Sequence, residues 1–309
     1  MNKLFNLKVF ALSFLTLNAH ALTVSGKIYS GLQYDLKNPS TTPTSEDHFS
    51  VATSASRLYF SENYFGNTGH GTYFLYEGDI FNDLANLHSF VGYRTNQIDT
   101  RLGKLDSLVY SWVGSLTNPW TYGSNISVIP EYNRYLSNSG RVVVSLGDQL
   151  KLGVNVLLNK DTRDYSFYDL GGKWSNNTLA VSTVYQENNK DSTTAFENRN
   201  TWASAISYQI NKKITLNTLY THYSNSYASN SKDDSFSVVI QNQKTYLSYQ
   251  TSQNKDQSRV NLMHSIPLSD AASIGFEVQT PVNSKYYKDG ATTKTDDASF
   301  AVIYLGFKF

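Results

Sequence analysis

Apolar and polar residues alternate along almost the whole chain. A period of two sends successive side chains to opposite faces of a strand, whereas a helix would gather them on one stripe. Near the start, Leu22, Val24, Ile28, Leu32 and Tyr34 alternate with Thr23, Ser25, Lys27 and Gln33. In the middle, Leu150, Leu152, Val154, Val156 and Leu158 alternate with Lys151, Gly153 and Asn155. Trp202, Ile206, Tyr208 and Ile210 continue the pattern, as do Ile274, Phe276 and Val278. The last run puts Ala301, Ile303, Leu305, Phe307 and Phe309 on one face. The chain reads as all-β.

The first 21 residues follow a different rule. Lys3 and Lys8 precede a short, mostly apolar run from Val9 to Leu17, and Ala19-His20-Ala21 is a small-x-small cleavage triplet. That order predicts an export signal over residues 1–21, removed to leave a single domain from Leu22 to Phe309.

Composition sets the strands in an unusual setting. The mean hydropathy of −0.40 resembles that of a soluble protein, yet the chain holds 23 Tyr, 16 Phe and 4 Trp, rings that favour strands. No stretch after the first 21 residues approaches the ~20 apolar residues of a spanning helix. The absence of cysteine excludes a disulfide framework, a thiolate metal site and a thiol nucleophile. A net charge of +1 offers no basic surface for nucleic acid.

Turn residues cut the pattern into about sixteen strands. Short turns are expected at Asn67-Thr68-Gly69, Gly147-Asp148-Gln149, Ser175-Asn176-Asn177, Asn211-Lys212-Lys213 and Leu268-Ser269-Asp270. Longer polar loops are expected at Lys37 to Asp47, Asn188 to Glu197, Ser224 to Asp234 and Val282 to Asp296. Short and long connections in alternation, behind an export signal, describe a transmembrane antiparallel up-and-down β-barrel. Spacing also admits twelve or eighteen strands, and a soluble sandwich is the rival architecture.

Four segments then resemble the general diffusion porins of Gram-negative outer membranes. Val24-Ser25-Gly26-Lys27-Ile28-Tyr29-Ser30-Gly31-Leu32 resembles that family's first strand, and Ser56 to Glu62, through Phe65-Gly66-Asn67 to Tyr76-Glu77, its second and third. Phe90-Val91-Gly92-Tyr93 with Arg101 to Ser107 resembles the stretch leading into the third external loop, and Tyr304 to Phe309 the terminal strand. The resemblance implies a 16-stranded outer-membrane barrel in contact with lipid and lipopolysaccharide, usually a homotrimer. Its third loop folds inward, and small hydrophilic solutes and ions pass by diffusion.

Residue by residue, the resemblance implies a basic constriction wall of Arg57, Lys104 and Arg134, to which Lys27, on the polar face of the first strand, could add. The inward loop corresponds to the 24 residues from Ser107 to Pro130, with Tyr110, Trp112, Trp120 and Tyr122 as aromatic candidates against the wall and Asn118 where family members often carry an acid. This loop departs from the pattern in having no Asp or Glu, so acid must come from Glu77, Asp106 or Glu131. The expectation is weak cation or mild anion preference.

Enzyme signatures are missing. The six His are isolated in sequence, and there is no G-x-S-x-G, H-E-x-x-H or P-loop motif. No catalytic residue, metal site or cofactor is assigned. Two other roles stay open at this point: a sugar-type channel using the loop aromatics, and an adhesin or phage receptor acting through the external loops.

Overall fold

The computed structural model describes residues 22–37, 49–52, 56–65, 70–81, 85–117, 136–158, 165–188, 200–224, 233–252, 257–283, 287–289, 292–294 and 299–309. The export signal expected over residues 1–21 and the turn at 67–69 lie outside them.

The alternating runs form strands throughout. From the start they are β1 (Thr23–Lys37), β2 (Phe49–Ala52), β3 (Arg57–Phe65), β4 (Gly71–Asp79), β5 (Ala85–Arg94) and β6 (Ile98–Leu105). After a connection follow β7 (Leu136–Leu146), β8 (Leu150–Leu158), β9 (Tyr165–Ser175), β10 (Leu179–Asn188), β11 (Asn200–Gln209) and β12 (Ile214–Ser224). The chain continues through β13 (Asp233–Asn242), β14 (Thr245–Ser252), β15 (Gln257–Pro267) and β16 (Ala272–Asn283). A small hairpin of β17 (Tyr287–Asp289) and β18 (Thr292–Lys294) precedes β19 (Ser299–Lys308).

Each barrel strand pairs antiparallel with its neighbours in sequence, and β19 pairs with β1 from Lys27↔Lys308 to Lys37↔Ser299. That last pairing closes the sheet and removes its edges, as a barrel requires. Gly26 and Phe309 complete the seam by exchanging backbone hydrogen bonds of 2.9 and 3.1 Å. β2 and β3 both pair with β1 and form one interrupted stave, while β17 and β18 stand apart. The barrel therefore has sixteen staves, which settles the choice among twelve, sixteen and eighteen.

The two faces differ as the alternation demands. Leu152, Val154, Leu170, Val181, Trp202 and Ile206 are exposed on one face. Their neighbours Gly153, Asn155, Asp169, Ser182, Ala203 and Ala205 are buried on the other. A closed barrel has only an inside and an outside, so the buried, more polar face is the inside. Leu32, Ile303, Leu305, Phe307 and Phe309 extend the exposed apolar face across the seam.

Side-chain turn chemistry fixes the short connections. Asn176 Oδ1 accepts from the backbone N–H of Thr178 and Leu179, and Asn211 Oδ1 from those of Lys213 and Ile214, at 2.8–3.0 Å. Gly147 takes φ 69° in the turn between β7 and β8, a conformation that favours glycine. One departure from the all-strand expectation follows β6. Val109–Val113 and Gly114–Thr117 form two short helical turns.

Candidate functional site

The helical turns lie against the inside of the barrel. Leu108, Val109 and Val113 are buried with Val184, Ala203, Ala205 and Leu219, which are inward residues of β10, β11 and β12. These wall positions are small or apolar where a water-lined wall would be polar, and the segment covers them. Tyr110, Trp112 and Leu116 pack on the same cluster. Trp112 lies over Gly153 and Gly171, and its carbonyl accepts from Ser182 Oγ at 2.8 Å. Asn118, Trp120, Tyr122, Glu131 and Arg134 lie outside the described residues.

Three strands grip the root of this segment. Asp106 Oδ1 faces His88 Nε2 on β5 at 3.0 Å, and the Asp106 carbonyl accepts from Arg141 Nη2 on β7. The Leu108 N–H donates to Asp169 Oδ2 on β9 at 2.7 Å. Ser107 caps the first turn, its Oγ accepting from the Tyr110 N–H at 3.0 Å.

Arg57, chosen from sequence for the basic wall, and the acidic candidates Glu77 and Asp106 join in one network. Arg57 Nε stands 3.4 Å from Glu77 Oε1, and Arg57 Nη1 donates to Asp79 Oδ2 at 3.1 Å. Glu77 Oε2 in turn meets His88 Nδ1 at 2.6 Å, so His88 bridges Glu77 to Asp106. The reading of the histidines as isolated is therefore corrected: strand pairing Glu77↔His88 brings together residues that sequence keeps apart. His222 is likewise held, by Asp234 at 2.7 Å on the outer face beside Tyr220. Lys27 pairs directly with Arg57 across β1 and β3 and lies over the Tyr29 ring.

Lys104 does not join them. It pairs with Ser89, and by alternation it shares the face of Val91 and the exposed Leu102, which is the outside. Its Nζ turns back to the carbonyl of Asn86. The preceding Gly103 has φ 141°, and a side chain there would run into the backbone of Ser89 and Phe90. The pairing with β5 stays regular through Lys104, so alternation alone turns the basic residue of the motif out of the wall; the register shift against β7 falls between Gly103 and Leu105.

The inner bases that sequence reading missed include Arg94, Arg101, Arg141 and the fully buried Arg259 of β15. Arg101 and Arg141 sit opposite each other across β6 and β7. Arg101 Nε donates to the Tyr73 hydroxyl at 2.9 Å and its Nη2 to Asp99 Oδ2 at 2.8 Å. Arg94 shares the same acid at 3.1 Å. The signal was present: Ile98 and Leu102 alternate with Asp99 and Arg101, and Val142 follows Arg141. Further along the inner face, Lys151 and Lys173 are directly opposed across β8 and β9. Among the described residues, no group of three or more His, Cys, Asp or Glu is placed to hold a metal ion.

A closed antiparallel barrel of sixteen staves, apolar outside and polar within, defines the porin class of fold. The chain is similar to an anion-selective porin from Comamonas acidovorans, with 15% identity, 94% of this chain and 99% of that one covered, and a TM-score of 0.71. It is also similar to a triple mutant of the Rhodopseudomonas blastica porin, with 13% identity, coverage of 94% and 100%, and a TM-score of 0.66. The trimer form of OmpT, an outer membrane protein of Vibrio cholerae, matches at 13% identity, coverage of 94% and 99%, and a TM-score of 0.69. At such identities the likeness is one of fold. No family model and no curated protein matches the chain.

Proposed function

We propose that the chain is an outer-membrane porin, a water-filled channel for passive diffusion of small hydrophilic solutes and ions. The observation that carries the reading is the pairing of an exposed apolar outer face with a polar inner face in a sheet with no edges. Residues 1–21 direct export, and the mature barrel sits among outer-membrane lipid and lipopolysaccharide as a homotrimer. The trimer form of the Vibrio protein of like fold supports that assembly. The connection from Ser107 to Pro130 narrows the lumen, a reading supported by the contacts of its first residues. It needs no catalytic residue, metal or cofactor.

Selectivity is weak and leans toward anions. Arg57 is offset within its own wall by Glu77 and Asp79, whereas Arg94 and Arg101 share the single acid Asp99. Bases lining a constriction act on ions at close quarters. Reconstitution of the refolded protein in a planar bilayer tests both parts of the reading. Conductance is expected to rise in proportion to salt, with a reversal potential that favours chloride over potassium slightly. A protein that inserts and passes no current would overturn the channel; strong cation selectivity would overturn the charge argument alone.

A further inference from the structure

We infer that the buried carboxylate of Asp169 is the positioning group that seats the inward segment on the barrel wall and so sets the width left open beside it. The inference rests on the channel reading above for its consequence, and on geometry alone for the contact.

Asp169 is fully buried on the inner face of β9. On either side in the register stand Asn155 of β8 and Gln186 of β10, both also fully buried. Asn155 Nδ2 donates to Asp169 Oδ2 at 3.1 Å, and Gln186 Nε2 donates to Oδ1 at 2.7 Å. These two amides fix the carboxylate in the plane of the wall. Its remaining partner is the N–H of Leu108, 61 positions away in sequence.

A buried carboxylate is costly unless donors surround it, and a neutral wall would avoid that cost. Here the two wall donors hold it in place and the third comes from the segment's backbone. Hydrogen bonds to an ionised acceptor are the stronger kind. Because the donor is a main-chain group, the contact fixes where the chain path lies, whatever side chains follow. Arg141 on the same rung grips the carbonyl of Asp106, and His88 grips its carboxylate. Asp169 is the last of these three holds along the chain. Beyond it the segment turns into its helical course toward Trp112 and Val113.

The chain has no cysteine, so a single introduced thiol reports cleanly. Val113 lies in the seated segment itself, fully buried against the wall, and Val113→Cys is a small apolar exchange. In vesicles, Asp169→Ala is expected to speed modification of that thiol by a charged methanethiosulfonate by about tenfold or more, the loss expected of one charged hydrogen bond. Single-channel current should become larger and noisier. Asp169→Asn, which keeps an acceptor for Leu108, should restore both toward the parent.

Leu108→Pro removes the donor together with the Leu108 side chain's packing and leaves Asp169 in place, so it serves if Asp169→Ala fails to form a barrel. Leu108→Ala, which keeps the N–H, is the control for the lost side chain. Leu108 has φ −66°, which proline adopts. The proline variant should reproduce the Asp169→Ala labelling, and combining the two should add little. If the barrel forms and labelling in both variants stays within about twofold of the parent, the inference is overturned. Labelling does not depend on current: a barrel that never conducts defeats the channel reading, whereas a conducting barrel with unchanged labelling defeats only the role of Asp169.

Discussion

Gly153 and Gly171 face each other across β8 and β9, and the indole of Trp112 lies on the flat floor that they make. A Cβ on Gly153 would stand 2.7 Å from Trp112 Cη2 and 3.1 Å from Leu108 Cδ1. One on Gly171 would stand 3.3 Å from Trp112 Cε3. With Ser182 holding the Trp112 carbonyl from β10, the segment has a shaped seat as well as a gripped root.

Gly153→Val should therefore unseat Trp112 without touching any charge. Overpacking of this kind costs about 1–3 kcal/mol. Urea unfolding in vesicles should show that loss, together with noisier single-channel current. An unchanged current would mean that the segment's position does not limit the pore.

The strands and the outer face were legible because each rests on local alternation, whereas the choice among twelve, sixteen and eighteen staves needed the closed pairing of β1 with β19. Leu152, Val154 and Leu170 are outward for the same reason that they alternate with polar neighbours. The site was harder to read. Matching Lys104 to a motif overrode the alternation through Ile98 and Leu102, which already places it on the outer face. Arg101 could have been found by carrying the alternation through Ile98 and Leu102 instead. His88 meets acids from β4 and from the chain beyond β6, and Asp169 meets Leu108 across 61 positions, so their roles exist only once the barrel closes.

The assignment of the outside predicts the cost of a charge there. Leu170 is exposed at mid-strand in β9, between the inward Asp169 and Gly171. Leu170→Arg should lower stability in vesicles by about 2–4 kcal/mol, the cost of an arginine near the bilayer midplane. Lys173→Arg, two residues beyond Gly171 on the inner face, should leave the urea midpoint nearly unchanged. Equal losses would contradict the assignment of the two faces.

Glu77 serves two partners, Arg57 and His88, whereas Asp79 serves Arg57 and the N–H of Phe81 near the strand end. Glu77→Gln should cost about 1–3 kcal/mol of stability, the range for losing hydrogen bonds to a charged group. Asp79→Asn should cost less. Both remove one negative charge from the same wall, so both should move the reversal potential toward anions. A smaller loss for Glu77→Gln than for Asp79→Asn would contradict the bridging geometry.

Lys151 and Lys173 provide the clearest test of anion preference. On their face their neighbours across the strands are Ser145 and Ser182, and along the strands Gly153 and Gly171, none of them acidic. Like charges directly opposed destabilise a sheet, and a passing anion relieves that repulsion. Replacing both with Gln should shift the reversal potential toward potassium. Screening decides how the shift depends on salt: the Debye length is about 10 Å at 0.1 M and about 3 Å at 1 M. The difference between parent and double variant should thus be large in dilute salt and shrink in concentrated salt. A shift that is absent at 0.1 M would remove these lysines from the ion path.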